Sequence, residues 1–407
     1  MTLFLLTISL TIYENNFAVV KEERKEKAQN VIEIKDLPSA IIARSLEIIP
    51  KNFKIKEIRV NYDVISEDVI LKRNKGKKIM ITTKDGKVIE GTLIAFSPSA
   101  ILLETEQNFI TVNRQNIIKI EAPKFEIEKE IKYEILAEGK EKEFLYQLKY
   151  MTEDIDWDAV YTGTIESKLK LNGWFILKNN TEKDFENADI TLLSGKVYRK
   201  YARPKPIIKT AKAMTAPQEI PEKEFFEYFI YHLGKYDFKK FEAKKIPFLE
   251  EKIKYVKELW VEQGQKGNPA IVLKFKAPVY LPKGIVTFYK EEKNRIEMIG
   301  EADIPYTPEG KELELKIGKA HSISFERKVL ETQKITRNVE EKEKEITIKN
   351  YKDKDVEVYI FENIPGDWEM LKVSHNYEKI SAHRIKFVIK IKGKSEEKIR
   401  YRVRIKY

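Results

Sequence analysis

The stretch that decides the fold is residues 150–199, YMTEDIDWDAVYTGTIESKLKLNGWFILKNNTEKDFENADITLLSGKVYR. Apolar and polar residues alternate within it in short runs, which is the pattern of β-strands with one buried face. A polar turn at residues 179–184 separates the strand predicted at 173–177 from the next one at 188–193. The stretch therefore predicts two or three consecutive strands, and the same periodicity continues on both sides of it.

The composition is that of a folded protein of more than one domain. The chain has 407 residues, of which 42% are hydrophobic and 11% aromatic, so two or three domains with a substantial core are expected. Charged residues make up 35% of the chain, mostly Lys and Glu, a composition enriched in proteins from hot environments. Because there is no cysteine, disulfides, thiolate metal sites and cysteine nucleophiles are excluded.

The net charge of +11 raises the possibility of nucleic-acid binding, but the distribution of the charges argues against it. Residues 22–27 read EERKEK and residues 340–345 read EEKEKE. Such mixed runs predict a solvated surface, whereas a nucleic-acid site needs clustering of positive charge. The most one-signed stretch is residues 72–78, KRNKGKK.

The N-terminal segment allows two interpretations. Residues 1–13, MTLFLLTISLTIY, carry no charge but are too short to span a bilayer. From residue 7 onward the apolar and polar residues alternate, which predicts a strand. Residues 1–6 are interpreted as the remnant of an export signal, although a basic start and a cleavage site are missing. We therefore expect an exported, periplasmic or cell-envelope protein, with a cytoplasmic location as the alternative.

Residues 76–123 look like a compact unit of five short strands. Asp85 and Gly86 suit a tight hairpin turn, and Gly91 inside the second strand permits a sharp bend. So short and bent a sheet predicts a small barrel of the SH3 or Sm-like kind. Its strand and glycine pattern resembles Sm-like domains, some of which bind RNA, and the basic run 72–78 lies at its entry. The RNA-contact residues of Sm proteins are not recognisable here.

The complete chain is predicted to be mostly β, with β-sandwich domains and the small barrel near the N-terminal third. Residues 7–75 form a strand-rich segment expected to pack with the sandwich region, residues 124–330 a β-sandwich, and residues 331–407 a second sandwich or its continuation. Periodicity is lost at residues 200–221, which contain four prolines, so this loop is expected to be mobile or functional.

Motifs that carry chemistry are few. The four histidines, His232, His321, His375 and His383, have no metal-ligand spacing. There is no phosphate-binding glycine loop and no nucleophile elbow. The acidic cluster at residues 153–158 is a candidate calcium or glycan site, but an exposed loop is the simpler interpretation. Asn179 begins a glycosylation sequon, although a turn explains it equally well. We predict no catalytic, cofactor-binding or metal-binding residues.

Several short motifs resemble a bacterial family called domain of unknown function 4139, which includes proteins named mucoidy inhibitor A-like. The likeness is strongest from about residue 145 to 330. It is carried by the Trp-x-Ala-x-Tyr run at 157–161 and by the segments at residues 171–174, 179–181, 187–190, 193–195, 281–284, 299–301 and 307–310. Members of the mucoidy inhibitor-like group carry a long coiled coil, whereas this chain has the small barrel in that region.

The resemblance implies a bacterial envelope or exported protein with no assigned enzymatic activity. The leading hypothesis is therefore a non-enzymatic binding or scaffold protein that engages another protein or a surface polymer through sheet edges and the loop 200–221. The first alternative is a carbohydrate-active or other hydrolase, which would need two carboxylates in a cleft. The second is RNA binding through the small barrel. Neither a cofactor nor a transmembrane segment is expected, and the oligomeric state is left open.

Overall fold

The computed structural model describes residues 4–61, 67–124, 132–195, 197–198, 228–292 and 295–407. The loop 200–221 lies outside the described residues, and so do residues 1–3. The predicted mostly-β fold class is confirmed, because strands account for 69% of the residues and helices for 4%.

The described residues form 30 β-strands and one short helix, α1 (Glu67–Arg73). The first ten strands are β1 Phe4–Tyr13, β2 Phe17–Lys27, β3 Val31–Ile34, β4 Glu47–Pro50, β5 Lys54–Asn61, β6 Lys78–Thr83, β7 Val88–Phe96, β8 Ala100–Glu104, β9 Phe109–Asn113 and β10 Ile117–Glu121. The next ten are β11 Lys132–Glu138, β12 Glu143–Glu153, β13 Ile155–Ile165, β14 Leu169–Asn179, β15 Phe185–Ser194, β16 Phe229–Phe238, β17 Glu242–Ile253, β18 Val256–Val261, β19 Lys266–Gly267 and β20 Ala270–Lys276. The last ten are β21 Gly284–Glu292, β22 Arg295–Ile304, β23 Glu312–Lys319, β24 Ile323–Thr336, β25 Val339–Asn350, β26 Val356–Asn363, β27 Asp367–Val373, β28 Tyr377–Ser381, β29 Arg384–Ile391 and β30 Glu396–Lys406.

A first β-sandwich is built from two sheets. Sheet I has the strand order β16-β15-β1-β2-β12-β4, and sheet II has the order β17-β14-β13-β21-β22. Leu10 and Tyr150 of sheet I belong to the same buried cluster as Trp157 and Phe175 of sheet II. The N-terminal strands β1, β2 and β4 are therefore part of the sandwich and contribute to its core. Strand β1 begins at Phe4, three residues before the predicted start, and the side chains of residues 4–6 are exposed.

A second β-sandwich follows. Sheet III has the order β23-β20-β18-β26-β29-β28, and sheet IV has the order β19-β24-β25-β30-β27. Their facing side chains, among them Val261, Phe387 and Tyr401, form a separate buried cluster. The division predicted between residues 330 and 331 falls within β24, and three earlier strands, β18, β20 and β23, complete sheet III.

The two sandwiches have the same topology, a duplication that was not predicted. The order β16-β15-β1-β2-β12 in sheet I matches β29-β26-β18-β20-β23 in sheet III, and β17-β14-β13 in sheet II matches β30-β25-β24 in sheet IV. Among these matching strands one pair of neighbours in each sandwich is parallel, β1 with β15 and β18 with β26. The chain therefore contains two copies of one sandwich plan.

A buried asparagine occupies the same place in both copies. Asn179 ends β14 and donates through Nδ2 to the carbonyls of Lys183 and Lys239 at 2.9 and 3.0 Å. Asn350 ends β25 and donates to the carbonyls of Lys354 and Lys392 at 2.8 and 3.0 Å. Each asparagine thus ties a strand end to its following turn and to a second turn across the sandwich. Both segments read K-N-x-x-x-K-D-x-E, at residues 178–186 and 349–357.

Insertions distinguish the two copies. The first sandwich carries residues 28–142 between its paired strands β2 and β12, and the second carries the hairpin β21–β22 between β20 and β23. Strand β21 crosses to the first sandwich and pairs with β13 in parallel. At that junction a side chain on Gly284 would lie 2.2 Å from the Ala159 carbonyl oxygen, so the close pairing of the two strands requires a glycine.

The insertion in the first sandwich contains the five-stranded unit predicted at residues 76–123. Its sheet, here called the small sheet, has the order β10-β6-β7-β8-β9 and its own buried core, which includes Leu71 of α1 and Leu103. The sheet β3-β11-β5 precedes and follows it in the chain. At Gly91 an added side chain would lie 2.8 Å from the Glu104 carbonyl oxygen, so the close approach of β7 and β8 at this point requires a glycine.

Closure of the small sheet into a barrel is not confirmed. Strands β9 and β10 are its two edges and do not pair with each other in the described residues. They are joined by the 3₁₀ turn Arg114–Asn116, where the side chain of Asn113 accepts a hydrogen bond from the Gln115 amide at 2.9 Å. This turn directs β10 to pair with β6, so β9 keeps a free edge.

Candidate binding edge

The histidines and carboxylates considered as metal ligands are not brought together. His232 lies 3.4 Å from Asp189, and His375 lies 3.3 Å from Glu397 in the other sandwich. No group of three or more potential ligands that could hold a metal ion is present among the described residues.

The acidic cluster at residues 153–158, interpreted from the sequence as an exposed loop, lies mostly in strands: Glu153 ends β12, and Asp156 and Asp158 are in β13. Asp154 makes the turn between the strands with a positive φ of 64°, and Asp158 forms an ion pair with Lys178 at 2.9 Å. Burial raises the pKa of Asp156, although the Asn16 amide hydrogen-bonds to its carboxylate at 3.3 Å. These contacts account for the cluster as the structured ends of two strands.

Asn179, the residue that would accept a glycan in the predicted sequon, is fully buried. Its amide nitrogen is engaged with the carbonyls described above, and its Oδ1 accepts hydrogen bonds from the amide and hydroxyl of Thr181. The folded protein therefore has no accessible acceptor at this position.

The interpretation of residues 22–27 as a solvated surface is wrong for every second residue. Glu22, Arg24 and Glu26 of β2 are 0%, 1% and 2% exposed. They continue the inward-facing series that begins with Ala18 and Val20. The sequence did contain this signal, because the three residues are in phase with the apolar side chains of the same strand. Their type, rather than their spacing, led to the wrong prediction.

These residues form a buried ionic cluster with Asp36 and Lys183. The Arg24 guanidinium binds both Asp36 oxygens at 2.7 Å and also bonds to Glu22. Lys183 contacts Asp36 at 3.1 Å and Glu22 at 3.2 Å. The hydroxyl of Tyr150 donates to Glu22 at 2.7 Å. The Glu22 carboxylate is therefore compensated by two cations and a hydroxyl, as a buried charge requires.

The pKa values in the cluster follow from burial and from these contacts. Burial alone would lower the pKa of Arg24, but Glu22 and Asp36 outweigh it and raise that pKa. Burial alone would raise the pKa of Asp36, but Arg24 and Lys183 outweigh it and lower the pKa to about 2. Burial raises the pKa of Glu26 despite the hydrogen bond from Tyr146. The charges of Glu22, Arg24, Asp36 and Lys183 are compensated within the cluster, whereas Oε2 of Glu26 is buried without a hydrogen-bond partner. We assign the cluster to stability.

The Asp36 contacts predict a pH-dependent stability difference. A carboxyl group whose pKa is lowered in the folded state stabilises the fold at pH values above its pKa in the unfolded chain, here 3.8. That contribution is lost as the pH falls through the folded-state pKa of about 2. The melting temperature of wild type should therefore exceed that of Asp36→Asn by a constant amount above pH 5. The difference should shrink between pH 4 and pH 2 in thermal scans. A difference that stays constant down to pH 2 would contradict the assignment.

A groove of about 710 Å³ is lined by residues 303–307 and 311–315 together with Lys283. Its lining has three carboxylates, Asp303, Glu312 and Glu314. Glu312 and Glu314 pair with Lys274 at 3.3 and 3.2 Å. Two of the three are thus held by one cation, which is not the free pair that the hydrolase hypothesis requires.

Sheet edges are the remaining candidates for binding, and most of them are protected. Edge strands that carry charged residues, proline or bulges resist pairing with another chain. Among the described sheets, every edge strand except β9 contains a lysine, arginine, aspartate or glutamate. Strand β4 also has Pro50, and β10 has a register shift at Ile118.

Strand β9, Phe-Ile-Thr-Val-Asn, has none of these protections. Its pairing with β8 is regular over all five residues. The amide of Thr105 bonds to the Asn108 carbonyl, and the amide of Arg114 bonds to the Ser99 carbonyl. Residues 108 and 114 therefore belong to hydrogen-bonded pairs, and such pairs occur at every second residue of an antiparallel ladder. The backbone N–H and C=O groups of Phe109, Thr111 and Asn113 accordingly point away from β8. The β9 edge therefore presents three residues with free backbone donors and acceptors.

A groove of mixed polarity runs beside this edge. It has a volume of about 440 Å³, and its floor includes Ile89, Ile110 and Val112. Lys84 and Asn116 stand at its rim. Phe109, at the other end of the strand, is 67% exposed. A free edge with a groove beneath it can accept both the backbone and the alternate side chains of an added strand.

No family model and no curated protein matches this chain. The described residues also contain no helix of the length and hydrophobicity needed to span a membrane. The function is therefore inferred from the geometry of the chain itself.

Proposed function

We propose that the protein is a non-enzymatic binding or scaffold protein whose small sheet recognises an extended peptide by strand addition at β9. The observation that carries the proposal is the contrast between β9 and the other edges. Charge, proline or a bulge protects each of those, whereas β9 combines an uncharged sequence, a regular register and an adjacent groove that contains Ile89, Ile110 and Val112.

The two sandwiches provide the scaffold in this proposal. Sheet III contributes to both of their cores, since its Leu273 and Phe275 belong to the buried cluster of the first sandwich and its Val261 and Phe387 to that of the second. The small sheet has a separate core and is inserted between β2 and β12. Recognition by a module on a rigid support is a common arrangement in binding proteins. The bacterial cell-envelope location and a second contact through the loop 200–221 remain part of the proposal.

Thr111→Pro tests the proposal directly. The Thr111 amide points away from β8, so proline at this position removes a donor of the free edge and leaves the ladder of the small sheet intact. We expect the neutral peptide acetyl-STVTVTS-amide to bind wild type with a Kd of about 0.1–1 mM, and Thr111→Pro to bind it at least about fivefold more weakly. Fluorescence anisotropy measures the affinity.

Thr111→Val is the matched control, because it keeps the amide and should bind as wild type does. Amide exchange locates the contact: the amides of Phe109, Thr111 and Asn113 should become protected when the peptide binds. Equal binding by wild type and Thr111→Pro, or protection at another edge only, would contradict the proposal.

RNA binding is the second candidate, favoured by the basic run 72–78. Lys72, Lys75, Lys77 and Lys78 are exposed, and none of them has an ion pair among the described residues. A site for a phosphate backbone needs such unpaired cations. A salt-sensitive gel shift with RNA that is lost on charge reversal at Lys75, Lys77 and Lys78 would support this function, and no shift at low salt would exclude it.

A further inference from the structure

The two ends of β9 lie in opposite electrostatic surroundings. Near Phe109, Glu104 and Glu106 are exposed and form no ion pair within the described residues; they line one groove with Glu90 and Lys78, where carboxylates outnumber the lysine three to one. Near Asn113, Lys84 is exposed and likewise unpaired, while Lys87 is neutralised by Asp85 at 3.2 Å and Arg114 is paired with Glu67 and Asp68 at 3.5 and 2.6 Å. The unpaired carboxylates therefore lie at the N-terminal end of β9, and the unpaired lysine at its C-terminal end.

The charges at the two ends of β9 would act independently on an added strand. Five residues of strand span about 14 Å at about 3.4 Å per residue. The screening length at physiological ionic strength is about 8 Å. Charges at opposite ends of a bound peptide would therefore each interact with the nearer end of β9, so the order of charges along the peptide should affect its affinity.

The direction of the added strand fixes the preferred order. All pairs within the small sheet are antiparallel, and antiparallel pairing is the more stable of the two arrangements. An antiparallel partner places its N-terminal end beside Asn113 and Lys84, and its C-terminal end beside Glu104 and Glu106. We infer that the partner of β9 is an extended segment with an acidic residue at its start, alternating apolar residues in its middle and a basic residue at its end.

This inference rests on the proposed strand addition, and three peptides test the strand addition and the charge preference separately. Acetyl-STVTVTS-amide tests strand addition itself, while acetyl-DTVTVTK-amide and acetyl-KTVTVTD-amide differ only in the order of their charges. We expect the peptide that begins with aspartate to bind about fivefold more tightly than its reversed partner at low salt. The difference should disappear at 0.5 M salt, because exposed charge pairs are then screened.

Variants of the charged residues near the two ends of β9 test whether these residues cause the preference for one order of charges. Lys84→Glu together with Glu104→Lys and Glu106→Lys should invert the preference, while the affinity for the neutral peptide stays unchanged. If the neutral peptide binds and the two charged peptides bind equally, the inferred polarity is wrong. If the lysine-first peptide binds more tightly to wild type, the antiparallel direction is wrong. If none of the three binds, strand addition at β9 is itself wrong.

Discussion

Arg24→Met should lower the free energy of unfolding of the first sandwich by about 3–5 kcal/mol, because it removes the main partner of a buried carboxylate. Glu22 is fully buried, and its oxygens are held by Arg24, Lys183 and Tyr150. Without the guanidinium, one Glu22 oxygen has no cation beside it. Urea denaturation followed by amide exchange in β2 and β12 measures the loss.

Two controls separate charge from packing. Arg59→Met removes an arginine from the exposed pair with Glu57 and should cause no measurable change. The double variant Glu22→Gln, Arg24→Met removes both charges, so it should recover part of the stability that the single variant loses. An Arg24→Met protein as stable as Arg59→Met would show that the cluster contributes nothing.

The same cluster shows what the sequence could predict and what it could not. Alternation of apolar and polar residues correctly predicts a mostly-β sandwich protein, because the period of two reports the buried face of a strand. At residues 22–27 the period also holds, but the inward positions are filled by charged residues whose partners lie elsewhere in the chain. Asp36 and Lys183 come from other segments, and no local pattern identifies them.

Strand pairing was less predictable than strand location. Strand β1 pairs with β15, and β18 with β26, across long intervening segments, and periodicity carries no information about such partners. For the same reason periodicity could not show whether the sheet expected at residues 76–123 closes into a barrel; closure is not confirmed, and β9 pairs only with β8 among the described strands. The candidate site depends on that free edge, so it became visible only when the partners of every strand were known.

The duplication of the sandwich, in contrast, could have been found from the sequence. The pattern K-N-x-x-x-K-D-x-E occurs at residues 178–186 and again at 349–357. Each residue type in it has a physical role. The aspartates Asp184 and Asp355 accept hydrogen bonds from the amides of Lys240 and Gly393 at 2.8 and 2.9 Å. The first copy of this nine-residue pattern also fits a simple polar turn, so the repeat is recognised only when the two segments are compared.

Asn179→Ala and Asn350→Ala should each lower stability by about 3 kcal/mol, because each leaves buried carbonyl groups without their donor. The two asparagines are 0% and 2% exposed. Asn180→Ala is the matched control, since Asn180 is exposed and contributes only its backbone amide, which bonds to the Asp154 carbonyl. It should leave stability unchanged.

The region in which each variant loses stability is more informative than the size of the loss. Asn350 joins the end of β25 to the carbonyls of residues 354, 391 and 392, all within the second sandwich. Its replacement should therefore reduce amide protection in β25, β26 and β29 more than in β14 and β15, and Asn179→Ala should give the opposite distribution. Equal loss in both sandwiches for either variant would contradict this expectation. It would show that the pairing of β21 with β13 and the packing of sheet III against the first core make the two copies unfold as one unit.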